Sequence, residues 1–351
     1  REGRPSRRSA TCEPAMASPL APAHPHFVML KGYHVGSKWI AQTFSRVPGC
    51  ALFFEYEHCL RGLNNGACCE GPELTLEYLA NGCACSELSD VIFVTDEHTC
   101  RGCPTKVPVQ HGCRATGVQM GALGSPYRDH LRKLQAISPS VRFVVLARSN
   151  SVKHAVSFLR VSCGGANHKD PRTDGQAGPG KHVLPSPVHS KELGSWISVP
   201  PPVLIGAARS LYMNQKSIRT LGGQLSAGSP AYTLVYEAFQ TDVVREITNL
   251  LKAIGAAELP KGWVGSAGLI VKAGADDLHL GLSNFAELKQ ALQSTPCVGR
   301  MLAAIGPVEF GLDECEEDFK ALATKTIFRD WGITATTSVR KLNNSQCRGE
   351  T

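Results

Sequence analysis

The sequence predicts an α/β protein with a doubly wound parallel sheet and helices on both faces. Three strand-then-helix units follow one another along the chain, each with a short apolar run before a segment of helical periodicity. The apolar runs are nearly continuous, which is typical of parallel strands that are covered on both faces. Alternating units of this kind indicate the doubly wound class.

The first unit joins HFVML, residues 26–30, to KWIAQTFSRV, residues 38–47. CALFFEY, residues 50–56, follows it as a further apolar and aromatic strand. The second unit joins VRFVVLA, residues 141–147, to SVKHAVSFLR, residues 151–160. Within that last segment, apolar residues recur at the spacing of one helical face, namely Val152, Ala155, Val156 and Leu159.

The third unit joins AYTLVY, residues 231–236, to TDVVREITNLLKAIG, residues 241–255. Thr241 or Asp242 is a candidate N-cap, and Gly255 is a candidate C-terminal stop for the helix.

Residues 27–333 are predicted to form one domain, after a disordered or targeting tail at 1–26 and before a C-terminal tail at 334–351. Two segments interrupt this domain. Residues 58–115 form a cysteine-rich insertion, and residues 163–201 are rich in Gly, Pro and His, as surface loops are.

The amino-acid composition and net charge limit the classes of function that this chain could have. A hydrophobic content of 42% and a charged content of 19% describe a globular chain. The net charge of +7 suits an anionic ligand, but no Lys/Arg block is dense enough to predict nucleic-acid binding. No apolar run approaches the roughly 18 residues that indicate a membrane span. A membrane anchor upstream of Arg1 remains an expectation that this sequence leaves open.

Fourteen cysteines are many for this length, and eight of them fall between Cys59 and Cys113. Such crowding indicates either disulfides in an oxidising compartment or a metal site. Cys100-x-x-Cys103 is compatible with a zinc knuckle, but regular paired CxxC spacing is missing. We therefore favour a disulfide-tied insertion, with zinc as the alternative.

The turn in the first unit, GYHVGSKWI, contains the residues of a candidate phosphate site. Its two glycines are one residue too close for a Walker A loop, and in the order Gly-Ser-Lys-Trp no Ser or Thr follows the lysine. A glycine turn before a helix N-terminus still favours an anion. Ser37 offers a hydroxyl, and charge comes from Lys31, His34 or Lys38. The alternative is a turn that holds nothing, in which Trp39 and Phe44 only pack the helix.

A second candidate site follows the strand of the second unit. Arg148 stands at the carboxyl end of that strand, where ligands of open parallel sheets bind. Lys153, Ser157 and Arg160 share a helical face, and an Arg–Ser pair there suits a second phosphate. For Lys153 and Arg160 a solvated helix face is the favoured interpretation.

Taken together, these segments resemble the P-loop sulfotransferases, which use 3′-phosphoadenylyl sulfate (PAPS) as donor. The resemblance lies in GYHVGSKWI, LARSNSVKHAVS, LVYEAF and LIVKAGADDLHLGLSNFAEL. It implies a P-loop-type sheet and a luminal, Golgi-type or carbohydrate-type branch. VYEAF is similar to a structural segment of that family.

The resemblance also implies roles for particular residues. The loop that would cradle the 5′-phosphosulfate contains Lys31, His34, Gly36, Ser37, Lys38 and Trp39. Arg148 and Ser157 would bind the 3′-phosphate, and Lys272 would approach the cofactor. This sequence departs from the family pattern at His34, where a lysine or arginine is usual, and at Lys38, where a hydroxyl residue is usual. On the sequence alone, Arg148→Ala is expected to abolish donor binding and leave the fold intact.

The implied reaction moves a sulfuryl group from PAPS to a hydroxyl or amine acceptor, for which no metal is expected. Glu55 is the preferred catalytic base, and His34 is a second candidate. A carbohydrate is the favoured acceptor, and the Golgi lumen or secretory pathway is the expected location. The alternatives are another P-loop nucleotide-dependent transferase or kinase, and an inactive cysteine-rich binding protein on the same scaffold.

Overall fold

The computed structural model describes residues 24–53, 72, 75–76, 79–80, 114–121, 125–163, 198–226, 230–264 and 277–324. Within these residues five parallel strands form one sheet, in the order β2-β3-β1-β4-β5. The strands are β1 (His26–Lys31), β2 (Cys50–Phe53), β3 (Ala115–Gly121), β4 (Arg142–Ala147) and β5 (Tyr232–Val235). The helices are α1 (Ser37–Phe44), α2 (Ser125–Ile137), α3 (Ser151–Cys163), α4 (Pro201–Leu225), α5 (Tyr236–Thr241), α6 (Val243–Ile254), α7 (Phe285–Ala291), α8 (Pro296–Ala303) and α9 (Glu316–Thr324).

The sheet is covered on both faces. Phe27 and Met29 of β1 pack in a core cluster with residues of α1 and α6. Val28 and Leu30, which point the other way, pack in a second cluster with residues of α2 and α4. Because successive side chains of a strand alternate between faces, a strand covered on both sides tends to be a nearly continuous apolar run, as residues 27–30 are. The predicted α/β class, with helices on both faces of a parallel sheet, is confirmed.

The interior strand β3 was not predicted from the sequence. It lies between β1 and β2, but its residues ATGVQMG include two glycines, a threonine and a glutamine. A Cβ atom on Gly117 would lie 2.4 Å from Cζ of Phe27, so the glycine makes room for the aromatic ring of the neighbouring strand. The strand is buried because β1 and β2 flank it in the sheet, although its own sequence is not an apolar run.

The end of the third unit forms largely as its sequence predicts. Asp242 is the N-cap of α6, and its carboxylate accepts a hydrogen bond of 2.9 Å from the Arg245 amide. Gly255 ends the helix in the left-handed conformation with φ of 75°. Tyr236 was expected to end the strand but instead begins α5, which separates β5 from α6.

A third core cluster joins α3 and α4 to the C-terminal helices α8 and α9. A disulfide between Cys297 and Cys315 ties the start of α8 to the residue before α9, with Cα atoms 5.4 Å apart. The predicted cysteine-rich insertion at 58–115 lies almost wholly outside the described residues, as do the tails and most of the loop at 163–201. None of the described helices is long and apolar enough to cross a membrane.

Candidate functional site

The carboxyl ends of β1 and β4 form a topological switch point. The two strands are hydrogen-bonded neighbours, with Leu30 opposite Val145 in the register. The helix after β1 packs on the face that contains Met29, whereas the helix after β4 packs with α4 on the other side. A crevice opens where chain connections leave in opposite directions, and ligands of doubly wound sheets bind there.

The loop between β1 and α1 has two left-handed residues within three positions. His34 has φ of 53° and Gly36 has φ of 76°. Gly36 is the N-cap of α1, and a Cβ atom added to it would lie 2.0 Å from Cε2 of Tyr236. Glycine is therefore required both for the backbone conformation and for the contact with the ring. Loops with such dihedral angles before a helix N-terminus turn N–H groups inward and favour anions.

Aromatic packing supports the loop from one side. Trp39 of α1 contacts Tyr236 and Phe239 edge to face, with ring centroids 5.8 Å and 4.9 Å away. Ser37, the first residue of α1, is buried, and its carbonyl oxygen accepts a 2.9 Å hydrogen bond from Gln119 of β3. Trp39 thus has the packing role that the sequence offered as an alternative, while its contact with a cofactor stays a prediction.

Arg148 forms a buried ion pair that the sequence analysis did not identify. Its Nε donates to Glu237 over 3.1 Å, and the two side chains are 5% and 1% exposed. The same carboxylate accepts from the Ser149 amide at 2.8 Å. Glu237 belongs to VYEAF, which begins at the last residue of β5. Its proximity to Arg148 is predictable only from the strand order, which places β4 beside β5.

The pair orients the Arg148 guanidinium. Its Cζ lies 4.7 Å from the centroid of the Tyr236 ring, within the range of a cation–π contact. Among the described residues, Arg148 makes its side-chain hydrogen bond through Nε. The amino groups Nη1 and Nη2 are therefore the candidate donors to an anion, and a planar guanidinium binds phosphate through two such donors.

A chain of buried hydrogen bonds connects the loop after β1 with the turn after β4. The Arg148 amide donates to Oε1 of Gln215 over 2.6 Å. Nε2 of Gln215 lies 3.1 Å from Nδ1 of His154, and Nε2 of His154 contacts the carbonyl oxygen of Tyr33. His154 is fully buried and Gln215 is 5% exposed. Neither residue was singled out from the sequence.

The solvated helix face predicted for Lys153 is wrong. Lys153 is 4% exposed, because α3 is covered by the C-terminal segment, and its ammonium donates to the Gly306 carbonyl. Burial lowers the pKa of Lys153, and the nearby positive charge of Arg148 lowers it further. Ser157 lies one turn further along α3 and is half-buried. Its predicted phosphate contact stays a prediction.

Lys31 and His34, the other predicted cofactor ligands of this region, lie at the same end of the sheet. Lys31 is buried at the end of β1, and the His34 ring contacts Phe158 of α3 with centroids 5.3 Å apart. The predicted base Glu55, the predicted ligand Lys272 and the side chains of Lys38 and Arg160 lie outside the described residues. In the part of the chain that is described, no three His, Cys, Asp or Glu side chains are grouped as metal ligands.

Three buried histidines predict that the fold loses stability in mild acid. Burial lowers the pKa of His24, that of His154 to about 3 and that of His26 to about 4. An unfolded chain binds these protons near pH 6.5, so stability is full above that pH and falls as the pH drops toward 4. Each histidine should lower the free energy of unfolding by up to about 1.4 kcal/mol per pH unit below about pH 6.

Urea denaturation at pH 7.0, 6.0 and 5.0 measures this effect above the range in which most carboxylates titrate. His154→Gln, which removes one of the three buried histidines, should reduce the pH dependence. An equal dependence in the wild type and in a His26→Gln/His154→Gln double variant would contradict the assignment.

Comparison with known proteins gives a structural similarity to a sulfotransferase. A sulfotransferase from Alicyclobacillus acidocaldarius aligns with 80% of this chain and 96% of its own, at 13% sequence identity and a TM-score of 0.38. No protein-family model and no curated protein matches the sequence.

Proposed function

We propose that this protein is a sulfotransferase that takes its sulfuryl group from PAPS, bound at the β1–β4 switch point. The observation that carries the proposal is the arrangement of two phosphate-type elements at this one place. The loop with left-handed His34 and Gly36 precedes the α1 N-terminus, and the oriented Arg148 follows β4. The sequence resemblance assigns these same elements to the 5′ and 3′ ends of one nucleotide.

The residues present fit such a ligand. A Cβ atom on Gly36 would clash with the Tyr236 ring, so the turn before α1 must be glycine, the residue that backbone phosphate cradles use. Glu237 holds Nε of Arg148, which directs the guanidinium and compensates its charge in the free protein. The bound donor supplies a sulfuryl group on its 5′-phosphate. The protein supplies hydrogen-bond donors and positive charge for the phosphates.

The proposal includes the catalytic base, the acceptor and the cellular location. Glu55 or His34 would accept the proton of the acceptor, and a carbohydrate hydroxyl is the acceptor we favour. The Cys297–Cys315 disulfide supports a location in the secretory pathway, because disulfides persist in oxidising compartments. We propose the Golgi lumen or secretory pathway on this basis, together with the cysteine-rich sequence between residues 58 and 115.

Calorimetric titration of the full chain with 3′,5′-ADP, the desulfated donor product, tests the proposal. The probe is compared with 5′-AMP, which lacks the 3′-phosphate, and with ATP plus Mg²⁺. We expect 3′,5′-ADP to bind and 5′-AMP to bind at least about tenfold more weakly, because one charge-assisted phosphate contact is worth about 1.5–3 kcal/mol.

The same change from Arg to Lys, made at either end of β4, tests where the 3′-phosphate binds. Arg148→Lys keeps a positive charge beside Glu237 but removes the planar pair of donors, so it should lose most of the preference for 3′,5′-ADP. Arg142→Lys, at the exposed opposite end of the strand, should bind like the wild type. Binding of ATP with Mg²⁺ in place of 3′,5′-ADP would favour a kinase or related transferase. Binding of neither nucleotide would favour an inactive scaffold.

A further inference from the structure

The buried chain of hydrogen bonds between Arg148 and Tyr33 determines how each polar group in it is oriented. The Arg148 amide can only donate, so the Gln215 atom 2.6 Å from it must be the carbonyl oxygen. The other end of the same amide, Nε2, then faces Nδ1 of His154 at 3.1 Å and can only donate to it. One backbone N–H thus settles the orientation of the Gln215 side chain.

The orientation of Gln215 settles the tautomer of His154. A ring nitrogen that accepts a hydrogen bond carries no proton, so in the neutral imidazole the proton is on Nε2. Nε2–H then donates to the Tyr33 carbonyl, which is the partner that the structure places beside it. The imidazole has both nitrogens paired and is fully buried, so it has no remaining capacity for solvent or ligand.

The anchored carbonyl belongs to the peptide that enters the left-handed part of the loop. A trans peptide is planar, and its C=O and N–H point in opposite directions. When the Tyr33 carbonyl faces His154, the N–H of His34 therefore points away from α3. His34 itself has φ of 53°, and its ring is held against Phe158. Residues of α3 thus hold the peptide before Val35 and Gly36 in place through two contacts.

We propose that His154 and Gln215 are positioning residues, which hold the Tyr33–His34 peptide in the conformation that the loop for the donor's 5′-phosphate requires. They also couple this loop to the turn that places Arg148, so that the sites for the two phosphates keep a constant separation. The inference rests on the proposed function for the identity of the anion. The hydrogen bonds themselves are independent of it.

Two substitutions of His154 separate the bond to the loop from the bond to Gln215. Glutamine places an amide N–H close to the position of imidazole Nε2 and can still donate to Tyr33. Asparagine reaches only as far as Nδ1, so it retains a group for Gln215 and loses the bond to the loop. Both are neutral amides of similar polarity. His154→Gln is therefore the matched control for His154→Asn.

Hydrogen exchange of the loop amides at residues 34–36 is measured in the full-length wild type and in both variants, without ligand. We expect exchange in His154→Asn to be about tenfold faster, as the loss of one buried hydrogen bond predicts, and exchange in His154→Gln to stay within about threefold. The affinity for 3′,5′-ADP should follow the same order. Equal loop exchange in the two variants would overturn the positioning role.

The wild type provides a test that does not depend on how the variants fold. Nitrogen-15 NMR of the His154 ring at pH 5.5 should show a neutral imidazole protonated on Nε2. An Nδ1–H tautomer or an imidazolium would overturn the inference. If the wild type binds neither 3′,5′-ADP nor PAPS, the proposed function fails, whereas the exchange and NMR results still decide whether His154 holds the loop.

Discussion

Glu237→Ala is expected to lower the free energy of unfolding by about 3–5 kcal/mol, because it leaves the Arg148 cation buried without its partner. The two side chains are 5% and 1% exposed, so water compensates little of the lost interaction. The Ser149 amide and hydroxyl lose their acceptor at the same time. Urea denaturation at pH 7 measures the change.

Asp129→Ala is the control for this substitution. Asp129 pairs with Arg132 at 3.1 Å, but both side chains are more than half exposed, so its removal should cost at most about 1 kcal/mol. Glu237→Gln retains a hydrogen-bond acceptor for Arg148 and should fall between the two. A loss in Glu237→Ala no larger than that in Asp129→Ala would mean that the pair is not buried as described.

The same ion pair corrects one expectation from the sequence. Arg148→Ala was expected to spare the fold, but it would leave the Glu237 carboxylate buried without its cation. Such a variant would confound a loss of ligand binding with a loss of stability. Arg148→Lys avoids this difficulty, because an ammonium group remains available to the carboxylate.

Gly36→Ala is expected to destabilise the protein by about 2–4 kcal/mol and to weaken nucleotide binding at least about tenfold. The new Cβ would lie 2.0 Å from the Tyr236 ring, and the residue has φ of 76°. Either the loop or the ring must move, and the ring also contacts Trp39 and lies beside Arg148. Thermal unfolding and titration with 3′,5′-ADP measure the two effects.

Gly255→Ala isolates the part of this effect that comes from backbone strain. Gly255 has nearly the same φ, 75°, but a Cβ atom there would have nothing within 4 Å. It should cost about 1–2 kcal/mol, the usual penalty for a left-handed residue. If both alanine variants lost the same stability and bound nucleotide equally well, the close contact of Gly36 with Tyr236 would be disproved.

Local sequence signals predicted the parts of the fold that depend on local physics. The apolar runs of β1 and β4, the Asp242 cap and the Gly255 stop each act over a few residues, and the structure confirms them. β3 escaped prediction because its burial comes from its neighbours in the sheet. An interior strand with two glycines has no periodic pattern to detect.

The residues of the candidate site also fall into two groups, those with a local sequence signal and those without one. Gly36 and Arg148 stood out because a glycine turn and an arginine at a strand end are recognisable alone. Glu237 and His154 did not, since each acts through a partner distant in sequence: Arg148 is 89 residues from Glu237, and Tyr33 is 121 from His154. Their roles follow from strand order and helix packing, which single-sequence patterns do not contain.

A crystal structure of the protein with 3′,5′-ADP would show whether the nucleotide binds at the β1–β4 switch point. We expect the 5′-phosphate against the backbone of residues 34–37 and the 3′-phosphate within hydrogen-bond distance of Nη1 or Nη2 of Arg148. The Arg148–Glu237 pair should remain intact in the complex. A nucleotide bound away from the carboxyl ends of β1 and β4, or at this site with its 3′-phosphate turned away from Arg148, would contradict the proposal.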